Sequence, residues 1–174
     1  STYSGIGDWD KVFEIYSSSL KRAEQLGDEM WIGRSIRKIG NSFYGKGDQD
    51  KALENWEKSL AIAEEIGDKS GMSGSLNNIG LVHHDQKDYD KSLEYHSRSL
   101  IINEELGDKS GMGASLNSIG VVHASKGDYK KAAESLEKSI SILKEIDCKV
   151  IELETTTYLY LCYTHLGKDY DEQD

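Results

Sequence analysis

The chain repeats itself every 40 residues, and this limits it to one kind of architecture. From Gly67 to Leu106 it reads GDKSGMSGSLNNIGLVHHDQKDYDKSLEYHSRSLIINEEL, and from Gly107 to Ile146 it reads GDKSGMGASLNSIGVVHASKGDYKKAAESLEKSISILKEI. The copies share an opening GDKSGM, a central SLN-x-IG and a later DY-x-K. A weaker copy runs from Gly27 to Ile66, with Ile39-Gly40 and Lys51-Ala52-Leu53 in the same register. A period of roughly 20 to 50 residues marks a stacked array. One unit cannot bury its apolar face alone; neighbours stacked in line make one elongated core. The units are residues 1–26 (partial), 27–66, 67–106, 107–146 and 147–174 (partial). The partial units at both ends read as a piece of a longer array.

Each period splits into two helices. In the copy from residue 67 the spacing predicts a first helix from about Lys69 to Gln86, because Leu76, Ile79 and His83 recur at threes and fours with Val82 beside them. A second helix is predicted from Tyr89 to Leu106. Gly47-Asp48, Lys87-Asp88 and Gly127-Asp128 separate the halves, and Gly67-Asp68 and Gly107-Asp108 separate the units. Gly takes the left-handed geometry that ends a helix, and Asp then accepts from the free amides that open the next. The chain has no Pro to break a helix interior.

Small residues recur as well. Gly40, Gly80 and Gly120 hold one position of the first helix; Ala52, Ser92 and Ala132 hold one of the second. An interior Gly costs up to about 1 kcal/mol against Ala, so close helix approach must offset it. Trp56, His96 and Leu136 fill a large position four residues beyond the small one. The two helices of a unit should therefore form an antiparallel pair with a small-against-large seam.

These positions resemble the tetratricopeptide repeat, whose signature is W-x2-L-G-x2-Y, then A-x3-F. Leu76-x2-Ile79-Gly80-x2-His83 with Ser92-x3-His96 fits its spacing. So do Leu116-x2-Ile119-Gly120-x2-His123 with Ala132-x3-Leu136, and Ile36-x2-Ile39-Gly40-x2-Phe43 with Ala52-x3-Trp56. Thr156-x2-Leu159-x3-Tyr163 continues the pattern with Tyr160 in the Gly slot, and Val12-x3-Tyr16 is a preceding second half. The period of 40 exceeds the family's usual 34 and the terminal Pro is missing. Period and SLNNIG string are similar to the longer-helix subgroup of kinesin light chains, Pins and LGN-type adaptors and bacterial Rap-type regulators. The resemblance implies an all-α fold, a right-handed superhelical solenoid of antiparallel helix pairs.

The residues offer little for catalysis. No phosphate loop, zinc-protease motif or nucleophile elbow is present in the sequence. His83 and His123 lie one period apart, about 10 Å between neighbouring units, too far to share a metal ion. They read as packing residues, and His84 and Asp85 are expected to diverge around their helix. Cys148 and Cys162, 14 positions apart, would lie about 20 Å apart along one helix, so both read as reduced thiols in a reducing compartment. No enzyme activity, metal or cofactor is expected. The net charge of -10 lacks the basic stripe nucleic acid needs, and no apolar run is long enough to span a membrane. A soluble, cytoplasmic protein follows as the expectation.

A tetratricopeptide solenoid lines its concave groove with first-helix polar positions. The resemblance thus implies groove-facing Arg37, Asn77 and Asn117, with Thr157 in the same slot. Neighbouring candidates are Arg34, Asn41, Leu81, His84, Val121 and Ala124, and the small Gly74 and Ala114 leave room above the groove floor. Asn offers a donor and an acceptor, so a ladder of them could hold an extended peptide backbone; the alternative is that Asn77 and Asn117 only brace interhelical contacts. The family's carboxylate clamp needs several Lys or Arg, whereas here only Arg34, Arg37 and Lys38 form a basic cluster. Leu81, Val121 and Leu161 suggest a ligand with some apolar side chains. The expected function is noncatalytic binding of a protein or peptide. The alternative is a structural or regulatory spacer, or a scaffold that forms a homo-oligomer through its terminal faces.

Overall fold

Seven aspartates place the helix starts. Asp8, Asp28, Asp48, Asp68, Asp88, Asp108 and Asp128 each accept, through Oδ1, from the amide three residues on, at 3.0 to 3.3 Å. Each thereby satisfies one of the N–H groups a helix start leaves open. The computed structural model describes residues 8–167, and these form eight helices. They are α1 (Trp9–Leu26), α2 (Glu29–Gly45), α3 (Gln49–Ile66), α4 (Lys69–Asp85), α5 (Tyr89–Leu106), α6 (Lys109–Ser125), α7 (Tyr129–Glu145) and α8 (Lys149–Leu166). Residues 168–174, the end of the partial unit 147–174, lie outside the described residues.

First helices begin at Glu29, Lys69, Lys109 and Lys149, each 40 residues after the last. Left-handed glycines end the longer helices: Gly27, Gly67, Gly107 and Gly167 have φ of 65, 70, 65 and 65°. Two positions depart from this pattern. Lys87, at φ 61°, stands where other copies have Gly47 and Gly127, and Asp147, at φ 52°, stands where they have Gly27, Gly67 and Gly107. A side chain in that region costs roughly 1–2 kcal/mol. The start of α8 loses a second contribution, because Cys148 at its N-cap makes no side-chain capping bond.

The described residues divide into two compact units, with the division after Val82, inside α4. In the N-terminal unit α2 packs on both α1 and α3. Trp56, at 1% exposure, fills the seam, a burial contributing roughly 3 kcal/mol. A Cβ on Gly40 would lie 2.6 Å from Trp56 Nε1 and 3.2 Å from the Ala52 carbonyl, so the bare glycine is what admits the indole. Phe13 meets Phe43 edge-on at 5.5 Å, closing the α1–α2 side. In the C-terminal unit α6 packs on α5 and α7, and α7 on α8. There Gly120 sits under Leu136, whose Cγ would be 2.6 Å from an added Cβ. Ala132, Ala133, Leu136, Ile140, Leu159 and Cys162 form the core. The antiparallel small-against-large seam read from the repeat is thus present in both units.

Buried serines connect the helices. Ser75 Oγ donates to Ser59 Oγ at 3.1 Å, and Ser59 Oγ donates to the Gly33 carbonyl at 2.9 Å. In the C-terminal unit Ser139 Oγ donates to the Gly113 carbonyl at 2.8 Å, while Ser99 and Ser115 hydroxyls pair at 3.1 Å. A buried hydroxyl without a partner would be costly; these bonds make close helix approach compatible with a polar residue.

Candidate functional site

The site residues follow from helix spacing, and the two units present separate parts of the set. In the N-terminal unit, α2 carries Arg34, Arg37 and Asn41 at intervals of three and four, which puts them on one face. Arg34 Nε lies 3.7 Å from Asp68 Oδ2. The aspartate, the N-cap of α4, already accepts from Gly71 N–H at 3.0 Å. Arg37 is half-buried, and its guanidinium rests against Gly74, where a Cβ would come within 2.9 Å of Nη1. The room expected above Gly74 is therefore filled by Arg37. Burial first, and then the like charge of Arg34, push the Arg37 guanidinium below its ordinary value, while Asp68 acts the other way.

Asn41 is tied into the fold. Its Oδ1 accepts from Trp56 Nε1 and from Asn78 Nδ2, both at 2.9 Å. The carbonyl offered by the sequence as a groove contact thus holds the seam indole and bridges α2 to α4. Asn77 and Leu81 are half-buried on α4. Asn78 was not among the candidates; its position beside Asn77 and one period after Lys38 is the signal that could have found it.

In the C-terminal unit Asn117 is 9% exposed, and its Oδ1 is buried without a hydrogen-bond partner among the described residues. Arg37 Nε, at the same repeat position in the other unit, is also buried and unpartnered. Val121 is half-buried; Ala124 packs against the core cluster of α7 and α8. Among the Leu81, Val121 and Leu161 positions, Leu161 is the exposed one, at 46%.

The histidines have packing roles. His83 stacks on Tyr95 with ring centroids 5.3 Å apart, and His96 is fully buried in the slot of Trp56 and Leu136. Burial lowers the His96 pKa to about 4, with His84 adding in the same direction. His84 and Asp85 do not diverge as expected: Nδ1 lies 3.8 Å from Oδ1. His84 Nε2 is also 2.9 Å from Ser125 Oγ. This has the residue types of a nucleophilic relay but not its electrostatics. Ser125 donates to the Val121 carbonyl at 3.0 Å and closes α6, where a helix presents carbonyls and partial negative charge. An oxyanion needs N–H groups aimed at it. Among the described residues, no group of three or more His, Cys, Asp or Glu is placed to hold a metal ion, and no helix is long and apolar enough to cross a membrane.

Residues 71–145 match the family model of the tetratricopeptide repeat. Among solved structures, BtubC (BKLC) from P. vanneervenii superposes with a TM-score of 0.79 at 21% identity, covering 92% of this chain and 67% of that one. A putative kinesin light chain from Podosopora anserina with nearly identical TPR-like repeats gives 0.68 at 14% identity, covering 92% and 80%. A signal transduction ATPase with a tetratricopeptide repeat sensor from Pyrococcus horikoshii gives 0.76 at 20% identity, covering 92% of this chain and 26% of that one. A search of curated proteins found no match. The likeness establishes a tetratricopeptide-like all-helical repeat fold.

Proposed function

We propose that the chain is a noncatalytic interaction module whose first helices hold an extended segment of a partner protein. One observation carries the reading: the same repeat slot leaves Arg37 Nε and Asn117 Oδ1 buried without a hydrogen-bond partner among the described residues. A buried polar atom left alone costs about 1–3 kcal/mol. A peptide backbone offers a carbonyl to the guanidinium and an N–H to the amide oxygen. The tetratricopeptide-like fold supports the same reading, because such repeats generally bind proteins or peptides, and the 40-residue period favours the kinesin-light-chain-like subgroup. The net charge of -10 argues against nucleic acid. Two free cysteines suit a reducing cytoplasm.

The test is selection from a random-peptide library, followed by titration of the recovered peptides. Asn77→Ala combined with Asn117→Ala should weaken them while leaving helicity intact. Unchanged affinity would reject the polar slot as a contact.

The second reading, self-association through a terminal face, is favoured by α8. Val150, Leu153, Tyr160 and Leu161 are 84, 73, 60 and 46% exposed, and their spacing lays them along one helix face. Light scattering across a concentration series separates the readings: a mass that stays monomeric throughout removes the second.

A further inference from the structure

Besides the pattern of the repeat, α8 carries a second one on its outer side. Thr155, Leu159 and Cys162 are its buried residues, and through that side it packs on α7. On the opposite side Val150, Leu153, Thr157, Tyr160 and Thr164 are all exposed. Their spacings of three, four, three and four are those of the a and d positions of a coiled coil. All three a positions, Val150, Thr157 and Thr164, are β-branched, and Leu153 stands at d. Branched residues at a with Leu at d favour two parallel strands. The flanking charges agree. Lys149 falls at g and Glu154 at the following e, the positions through which parallel helices in register pair across their seam. Both are exposed. The Lys149 ammonium lies 3.5 Å from Asp147, itself exposed, a surface contact worth little in water. The seam used elsewhere in the chain does not suit this face. Where Gly40 and Gly120 admit Trp56 and Leu136, α8 has the side chain of Tyr160, and the small residue that would oppose it is replaced by Glu172 or Gln173.

We propose that this face of α8 binds the same face of a second copy of the chain, parallel and in register, with Lys149 of each copy meeting Glu154 of the other. This rests on the self-association reading above and specifies its face, direction and charge pairing. One patch is used twice about a two-fold axis, so assembly closes at the dimer. The helix is about 27 Å long, and Thr fills two of its a positions, so the dimer is weak and reversible.

Sedimentation equilibrium of the full chain over a concentration series, with helicity checked by circular dichroism, tests it. The expected result is a monomer–dimer equilibrium. Leu153→Glu should abolish the dimer. Lys149→Glu and Glu154→Lys should each weaken it about tenfold, by placing like charges across the seam. An equimolar mixture of those two variants should associate again, as heterodimers, and so should the double variant with itself. Direction is read separately by oxidation in a Cys148→Ser background. Val150→Cys alone should form a cross-linked dimer, because parallel helices place position 150 beside itself, within disulfide reach. Cross-linking only when Val150→Cys is mixed with Thr164→Cys would mean antiparallel helices and overturns the inference. So does a dimer indifferent to both charge reversals or to Leu153→Glu; self-association then survives without this pairing. A mass that stays monomeric at every concentration removes the inference and the self-association reading together, and leaves the groove reading untouched.

Discussion

At the residue scale, the opposed glycine and large residue decide how closely two helices approach. On an exposed helix Gly→Ala stabilises by up to about 1 kcal/mol. At Gly120 the added Cβ would stand 2.6 Å from Leu136 Cγ and 3.2 Å from the Ala132 carbonyl, and Leu136 is fully buried. At Gly40 the opposing indole is held by bonds to the Arg37 carbonyl and Asn41 Oδ1, so it cannot move aside freely. Overpacking should cost roughly 1 to 3 kcal/mol and reverse the sign. Gly40→Ala and Gly120→Ala should each lower the denaturant midpoint, and Gly80→Ala, in the same register, should do likewise; a raised midpoint at unchanged cooperativity would mean that these glycines face open space. His96 gives a pH effect. Its folded pKa is lowered from 6.5 to about 4, so above pH 6.5 both states are neutral and its full contribution is present. As pH falls from 6.5 towards 4 the unfolded chain takes up the proton first, and stability drops by about 3 kcal/mol at most. His96→Leu, the residue Leu136 supplies in the next copy, should flatten that part of the stability–pH curve. An unchanged slope between the two proteins would place the acid sensitivity elsewhere.

At the element scale, α8 shows what the Gly-Asp junction contributes. Its start has Asp147 at positive φ and an uncapped Cys148, where the other junctions between repeats, at Gly27-Asp28, Gly67-Asp68 and Gly107-Asp108, have a left-handed glycine and an accepting aspartate. Cys148→Asp should therefore stabilise by about 1 kcal/mol, and adding Asp147→Gly should raise the midpoint again. Urea melts of the single and double variants check this, and no gain from either would show that α8 starts differently. These junctions were legible in sequence because a cap needs only a residue type and a spacing. The helix bounds followed: α5 spans the predicted Tyr89–Leu106, and α4 ends one residue before the predicted Gln86. The side-chain commitments were less legible. Arg37 filling the space of Gly74, Asn41 holding Trp56, and His84 turning to Asp85 and Ser125 depend on rotamers that periodicity does not specify. The buried serines were present as a pattern, at 35, 75 and 115 and again at 59, 99 and 139, but a serine reads as a solvent-facing residue until a partner is seen across the helix pair. The same ambiguity applies to Asn117: its slot was legible, its buried and unpaired oxygen was not.

At the scale of the whole molecule, the boundary between the two units falls inside a single helix. The division falls after Val82, yet α4 runs without interruption from Lys69 to Asp85. Leu76, Ile79 and Val82, all within its last three turns, are almost fully buried. A helix interrupted at that point would leave only His83–Asp85 beyond the break, too short to persist as a helix. In a repeat array, stability is the sum of unit and neighbour terms, and strong neighbour terms make the array melt as one. The chain's three tryptophans, Trp9, Trp31 and Trp56, all precede the division, so tryptophan fluorescence reports the N-terminal unit while far-UV circular dichroism reports all the helices. Gly120→Ala perturbs only the Leu136 seam of the C-terminal unit. If α4 couples the units, that substitution should lower the fluorescence and dichroism midpoints together and by the same amount. A dichroism curve that splits into two steps, with the fluorescence midpoint unmoved, would mean that α4 can break at the division and that the two units unfold independently.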